Sequence, residues 1–299
     1  MRVAEFTDLL RDAVHAWIED HVPSMGAALA YYTVFSVAPM LLIVIGVAGI
    51  VFGVDAARGE IVAQLSGLLG TEGAQAIEAL VKSAAKPAEG LAATVLAALL
   101  LLVGATTVFV ELQSALDRIW RAPVRRGEGL LSLLRSRLLS FGMVMGFGFL
   151  LTVSLVLSAV VAALGRFWGA HLGGWLVVAE ALNFGIGYGM VTLMFAMIYK
   201  IMPRVRVRWR DVWVGAAFTA ALFVIGKALI GLYIGRSGIA SGFGAAGSLV
   251  VLLLWVYYSA QIFLLGAEFT RMVSLRRATS VTVTGSADAP RSRSRAGSP

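Results

Sequence analysis

Ala28-Leu-Ala-Tyr-Tyr-Thr-Val-Phe-Ser-Val-Ala-Pro-Met-Leu-Leu-Ile-Val-Ile-Gly-Val-Ala-Gly-Ile-Val-Phe52 runs for 25 residues without one charged side chain. A helix rises 1.5 Å per residue, so about 20 apolar residues cross the roughly 30 Å hydrocarbon layer of a bilayer. The run lacks the period-2 alternation of a barrel strand, and it reads as a transmembrane helix. Working outward from it, five more such runs appear, near Leu91–Val110, Leu138–Leu164, Trp175–Ile198, Val212–Ile234 and Ser248–Thr270. The expected fold is therefore all-α, a polytopic membrane protein with six transmembrane helices. Composition agrees: 59% of the 299 residues are hydrophobic, 14% are charged, and mean hydropathy is +0.85. A soluble domain carries about 45–50% apolar and about 25% charged residues, which excludes a soluble enzyme, a disordered chain and a fibre. With no cysteine, disulfides, thiol catalysis, iron–sulfur clusters and zinc–thiolate sites are excluded too.

A net charge of +8 and a pI near 10.2 would suggest nucleic acid in a soluble protein. Placed on the six spans, nineteen of the 25 Lys and Arg residues fall on one side and five on the other, with Lys227 inside a span. The positive-inside rule then predicts that both termini are cytoplasmic. The basic balance becomes a topology signal, and no nucleic-acid partner is expected.

Residues 1–27 do not read as a cleavable signal, because Glu5, Asp8 and Asp12 stand where a basic region belongs. Phe6, Leu9, Leu10, Ala13, Val14, Trp17 and Ile18 recur at helical spacing, giving an amphipathic helix ended by Pro23. Such a helix either lies on the inner leaflet or packs on the protein itself. Residues 55–90 read as two short outer amphipathic helices, with Ile61, Leu65 and Leu68 in one. Ile77, Leu80 and Val81 belong to the other, after a Thr71 N-cap. Residues 271–299 form a basic tail, without apolar period from about Thr279 onward and expected to be disordered.

Polar residues inside spans are costly to bury and are the best functional candidates in such a chain. Tyr32, Ser36 and Pro39 share one face of the first span, where Pro39 frees a carbonyl near Ser36. They line a cavity or make a packing kink. Tyr257, Gln261 and Glu268 fall within roughly 40° of one another on the last span. Glu268 lies near the cytoplasmic end, as does Glu111 of the second span. The two carboxylates could share a proton or a cation, or each could pair with a neighbouring arginine such as Arg271. Glu180 and Lys227, at similar depths on consecutive spans, are candidates for an ion pair completed by Asn183, unless Lys227 snorkels to the headgroups alone. Arg204, Arg206, Arg208 and Arg210 form a basic loop suited to anionic lipid headgroups or a partner. Gly49/Gly53, Gly142/Gly146 and Gly185/Gly189 have the spacing of close helix contacts, and a homo-oligomer is compatible with them.

Several segments carry a resemblance. They are Gly26-Ala-Ala-Leu-Ala-Tyr-Tyr-Thr-Val-Phe-Ser-Val-Ala-Pro39, Ala115-Leu-Asp-Arg-Ile-Trp120, Pro203-Arg-Val-Arg-Val-Arg-Trp-Arg-Asp211, Gly244-Ala-Ala-Gly-Ser248, and Leu254-Trp-Val-Tyr-Tyr-Ser-Ala-Gln-Ile-Phe-Leu-Leu-Gly-Ala-Glu-Phe269. Over about residues 10–275 the chain resembles the YihY/virulence factor BrkB family of bacterial inner-membrane proteins. Asp117 departs from the family pattern, which carries Asn there. The resemblance implies a six-span inner-membrane bundle of poorly defined activity, whose older label, ribonuclease BN, is regarded as a misassignment. The residues agree, since His15, His21 and His171 form no ligand motif and fall on both predicted faces. No cofactor or metal site and no catalytic residue is expected. The leading functional expectation is a transporter or lipid-handling permease. A non-transporting scaffold for envelope integrity comes next, and a lipid-modifying enzyme after it.

Overall fold

A computed structural model describes residues 3–84, 91–123, 175–237 and 247–287, with isolated helical positions between Gly142 and Val160. Among them the chain is all-helical. Seven helices follow in order: α1 Val3–Glu19, α2 Val22–Phe52, α3 Val54–Ala84, α4 Leu91–Ile119, α5 Trp175–Ile201, α6 Trp209–Ser237 and α7 Gly247–Ala287. Five hold segments long and apolar enough to span a membrane: Val22–Ile50, Val95–Ile119, Glu180–Ile201, Trp209–Tyr233 and Leu249–Ala278. The third expected span, Leu138–Leu164, lies largely outside the described residues.

Local chemistry sets the breaks. His21 takes a left-handed backbone (φ 55°, ψ 40°) and parts α1 from α2. Pro23 does not end α1 but opens α2, within whose first turn its fixed φ fits and its missing N–H costs nothing. A single residue, Gly53 at φ 86°, separates α2 from α3, a conformation that glycine reaches without a Cβ clash. The α4 helix closes with Arg121 in the left-handed region at φ 49°, while the Ala122 amide donates to the Asp117 carbonyl at 2.8 Å.

Two expectations change. Residues 54–84 form one helix instead of two, running straight through Thr71. Both apolar groups pack on one cluster with α2 and α7, centred on Val37, Leu41, Ile77, Val81 and Leu252, so a break would gain no burial. On its polar side Lys82 lies 2.8 Å from Glu78 and, by hydrogen bond and charge, holds that carboxyl below the usual range. The basic tail, expected to be disordered from about Thr279, is helical as far as Ala287, and before that point Arg271, Arg276 and Arg277 lie beside Asp20, Asp12 and Asp211. Among the described residues nothing lies within 4 Å of a Cβ placed on Gly142, Gly146, Gly185 or Gly189, and Gly49 accommodates Val54 of the adjoining turn.

The organising element is α7, which packs against α1, α2, α3, α4 and α6. Its tight seams use other glycines. A Cβ on Gly266 would lie 1.9 Å from Thr219 Oγ1, and one on Gly215 would lie 1.7 Å from Thr270 Oγ1. The α5–α6–α7 seam is tied by the buried Tyr199, whose hydroxyl donates to the Phe263 carbonyl at 2.6 Å and meets Thr219 Oγ1 at 3.0 Å.

Candidate functional site

The polar stripe of α7 faces the elbow between α1 and α2. Gln261 Nε2 approaches the Pro23 carbonyl at 3.5 Å, and Gly26 leaves room for it, since a Cβ there would sit 2.0 Å from that nitrogen. Two turns further on, Glu268 is fully buried at 0% exposure. Its Oε2 accepts from Arg271 Nη1 at 3.4 Å, and the same nitrogen stands 3.6 Å from Asp20 Oδ2 in the elbow. Asp20 Oδ1 lies 3.6 Å from Arg121 at the end of α4. Arg271 thus faces both the Asp20 and the Glu268 carboxyls. Glu268 Oε1, Asp20 Oδ2 and Gln261 Oε1 are buried without a hydrogen bond among the described residues, Asp20 Oδ2 having Arg271 Nη1 at 3.6 Å. Buried carboxylate oxygens normally find donors, so this knot at the elbow is the outstanding polar feature of the described residues.

Asp20 escaped the reading of polar residues within spans because it lies outside them, and only its place just before the left-handed His21 turns it onto α7. Glu111, the other carboxylate expected near this depth, is half-buried on α4. Among the described residues, Glu268 makes its polar contact with Arg271. The alternative pairing with Arg271 is present, though Arg271 is shared.

The α2 candidates divide. Ser36 is buried at 1% exposure with its hydroxyl unpartnered. Pro39 is packed by its ring, which would touch a Cβ placed on Gly104 of α4 at 3.0 Å, so it belongs to a helix seam. Tyr32 is half-buried and its ring meets Tyr31 edge-on, while Tyr257 is half-buried on α7. No contact joins these two tyrosines among the described residues.

Glu180, Asn183 and Lys227 are all exposed, and no ion pair joins Glu180 to Lys227 among the described residues. Their helices, α5 and α6, are neighbours as expected, but Lys227 is exposed one position beyond the buried Gly226. The basic loop is also sorted by the structure. Val207 is buried in the core while Arg204, Arg206, Arg208 and Arg210 are exposed. Arg204 is committed: its amide donates to Asp117 Oδ1 at 2.8 Å and its Nε lies 3.3 Å from Oδ2. Trp209 and Trp213 stand exposed beside the loop, with Lys200 Nζ 5.4 Å over the Trp209 ring. His15 and His21 are exposed, and His171 lies outside the described residues.

Long apolar helices and a polar knot at one rim define a multi-pass helical membrane protein. The chain belongs to the family described as virulence factor BrkB, whose model matches residues 13–291. Among its curated relatives, the UPF0761 membrane protein of Pseudomonas aeruginosa strain LESB58 is 29% identical over 273 residues, covering 90% of this chain and 64% of the relative. One from Tolumonas auensis is 29% identical over 267 residues, covering 84% and 80%. One from Alcanivorax borkumensis is 31% identical over 269 residues, covering 86% and 58%. The chain thus spans about 64% of the length of the Pseudomonas relative. No solved structure matches it significantly.

Proposed function

We propose that the chain crosses the membrane six times with both termini in the cytoplasm and acts as a transporter or lipid-handling permease, without bond-making chemistry of its own. One observation carries this reading: the last span buries Glu268 completely with one carboxylate oxygen unpartnered. An ionisable group at that depth costs free energy to hold, and in spanning helices such groups commonly mark paths for ions or solutes. The outward Arg206, Arg208 and Arg210 beside exposed Trp209 and Trp213 suit anionic phospholipid headgroups, aromatic rings and cations being the usual anchors at that level.

A scaffold is the second reading. Its support is the glycine-tight α6–α7 seam around Tyr199, Thr219 and Gly266, which leaves no space for a solute there. Purification in native lipid separates the two. Mass spectrometry of co-purifying molecules, together with structure determination in several conformations, should reveal a bound solute or lipid in a water-accessible cavity. A molecule found solid in every conformation, with no retained ligand, would overturn the permease reading.

A further inference from the structure

The α5–α6 hairpin changes character along its length. Nearer the turn that joins them the two helices are tied side by side. Tyr199 meets Thr219 at 3.0 Å, and the Tyr188 hydroxyl donates to the Ala217 carbonyl at 2.8 Å. At the far end, residues 180–185 of α5 and 227–229 and 231–233 of α6 are all exposed. Glu180, Asn183 and Lys227 are among them, and none of the three has a hydrogen bond or ion pair among the described residues. Glu180 opens one spanning segment, and Lys227 lies six residues inside Tyr233, the end of another, roughly 9 Å deep at 1.5 Å per residue. A cation and an anion exposed to lipid at such a level are costly. Snorkelling relieves a long lysine but leaves the Glu180 carboxylate and the Asn183 amide where they stand. The surroundings are apolar, with Phe184, Leu229 and Leu232 at 63%, 56% and 51% exposure.

We propose that this end of the α5–α6 hairpin is the contact between two copies of the chain, in which Lys227 of each pairs with the partner's Glu180. Charge complementarity and depth select the occupant. A symmetric pair inserted the same way round in one membrane has its two-fold axis along the membrane normal, so every residue keeps its depth. A cation and an anion at similar depth on one chain are then at similar depth on the other. An isologous contact makes both pairs at once and leaves neither charge facing lipid. Apolar surface alone gives helices no drive to associate in lipid, where hydrogen bonds and close packing do. Asn183 supplies an amide that both donates and accepts. Gly187 and Gly231, with nothing among the described residues within 4 Å of an added Cβ, let a second backbone come close. An anionic lipid would answer Lys227 but be repelled by Glu180. The contact uses no residue of the knot around Glu268, and it holds whether the chain is a permease or a scaffold.

Charge exchange between chains tests it. Glu180→Lys leaves two lysines on the face and Lys227→Glu leaves two glutamates, so each full-length variant alone should lose its dimers. Co-expressed with different tags, the two should co-purify, because the mixed pair regains both Lys–Glu contacts. Photobleaching in dilute lipid vesicles counts the subunits: two steps for the parent, one for either variant alone, and two for the mixture. An ion pair within one chain would not be restored by mixing. The chain has no cysteine, so a second measurement needs no change of charge. In native membranes, oxidation should link at least one of Phe184→Cys, Leu229→Cys and Leu232→Cys into dimers, while Leu99→Cys, 55% exposed on α4, should stay monomeric. A parent that counts as a monomer, folded variants that fail to pair when mixed, or dimers from Leu99→Cys and none of the other three would each overturn the proposal.

Discussion

At the scale of single residues, the seams of this bundle are decided by where a hydrogen replaces a methyl group. Gly266 and Gly226 both lie in spans, yet their neighbours differ in kind. Beside Gly266 stand Thr219 Oγ1 and the Tyr199 hydroxyl, both engaged in one buried hydrogen bond, at 1.9 and 2.6 Å from a Cβ. Beside Gly226 the near atom is Ile262 Cδ1 at 2.4 Å, the free end of a flexible chain. At Gly231 nothing among the described residues lies within 4 Å. Gly266→Ala should cost about 1–3 kcal/mol, as overpacking does when neighbours cannot give. Gly226→Ala should cost less, and Gly231→Ala should be neutral or slightly stabilising, since alanine favours the helix by about 0.5–1 kcal/mol. Unfolding in mixed detergent micelles would rank the three, and equal effects would contradict the account. None of this was visible in glycine spacing, because spacing shows where helices can approach and not where a partner stands.

At the scale of elements, α1 is the instructive case. Its amphipathic pattern was legible from the apolar positions alone, but a stripe does not say whether lipid or protein covers it. The structure covers it with α7: Leu9 is 4% exposed, Ala13 is fully buried, and Phe6 meets Phe218 and Phe269 edge-on. Charge contributes less. Asp12 and Arg276 pair at 2.6 Å, but with side chains 50% and 39% exposed, water screens them. Leu9→Ala should therefore destabilise by about 2–5 kcal/mol, while Asp12→Asn should change stability by no more than about 1 kcal/mol. Micelle denaturation of the two variants checks the order, and a larger effect from Asp12→Asn would show that the helix is held by charge. The basic loop teaches a similar lesson. Four arginines at alternate positions look equivalent in sequence, yet Arg204 is bound to Asp117, and the residue that departs from the family pattern proves to be its partner.

For the whole molecule, the proposed topology gives the sharpest prediction. Ser24 at the elbow and Ser83 near the end of α3 are both exposed, and the chain has no cysteine of its own. In intact cells, a maleimide that cannot cross the inner membrane should label Ser83→Cys and should label Ser24→Cys only after permeabilisation. The reverse result would invert the molecule, and labelling of both from outside would break the even number of crossings between the termini.

Sequence alone determined that this protein lives in a membrane as a bundle of long helices, because crossing hydrocarbon demands apolar length and that demand is met one segment at a time. It also settled the family, through motifs spread over most of the chain. Which polar groups meet was decided by tertiary structure. Glu180 and Lys227 matched in depth but not in facing, while Glu268 shares Arg271 with Asp20, 248 positions away in the chain. Depth follows from counting residues along one helix. Facing depends on how helices rotate against one another, and here that is set by a left-handed turn at His21 and by glycines that let α7 sit close to its neighbours.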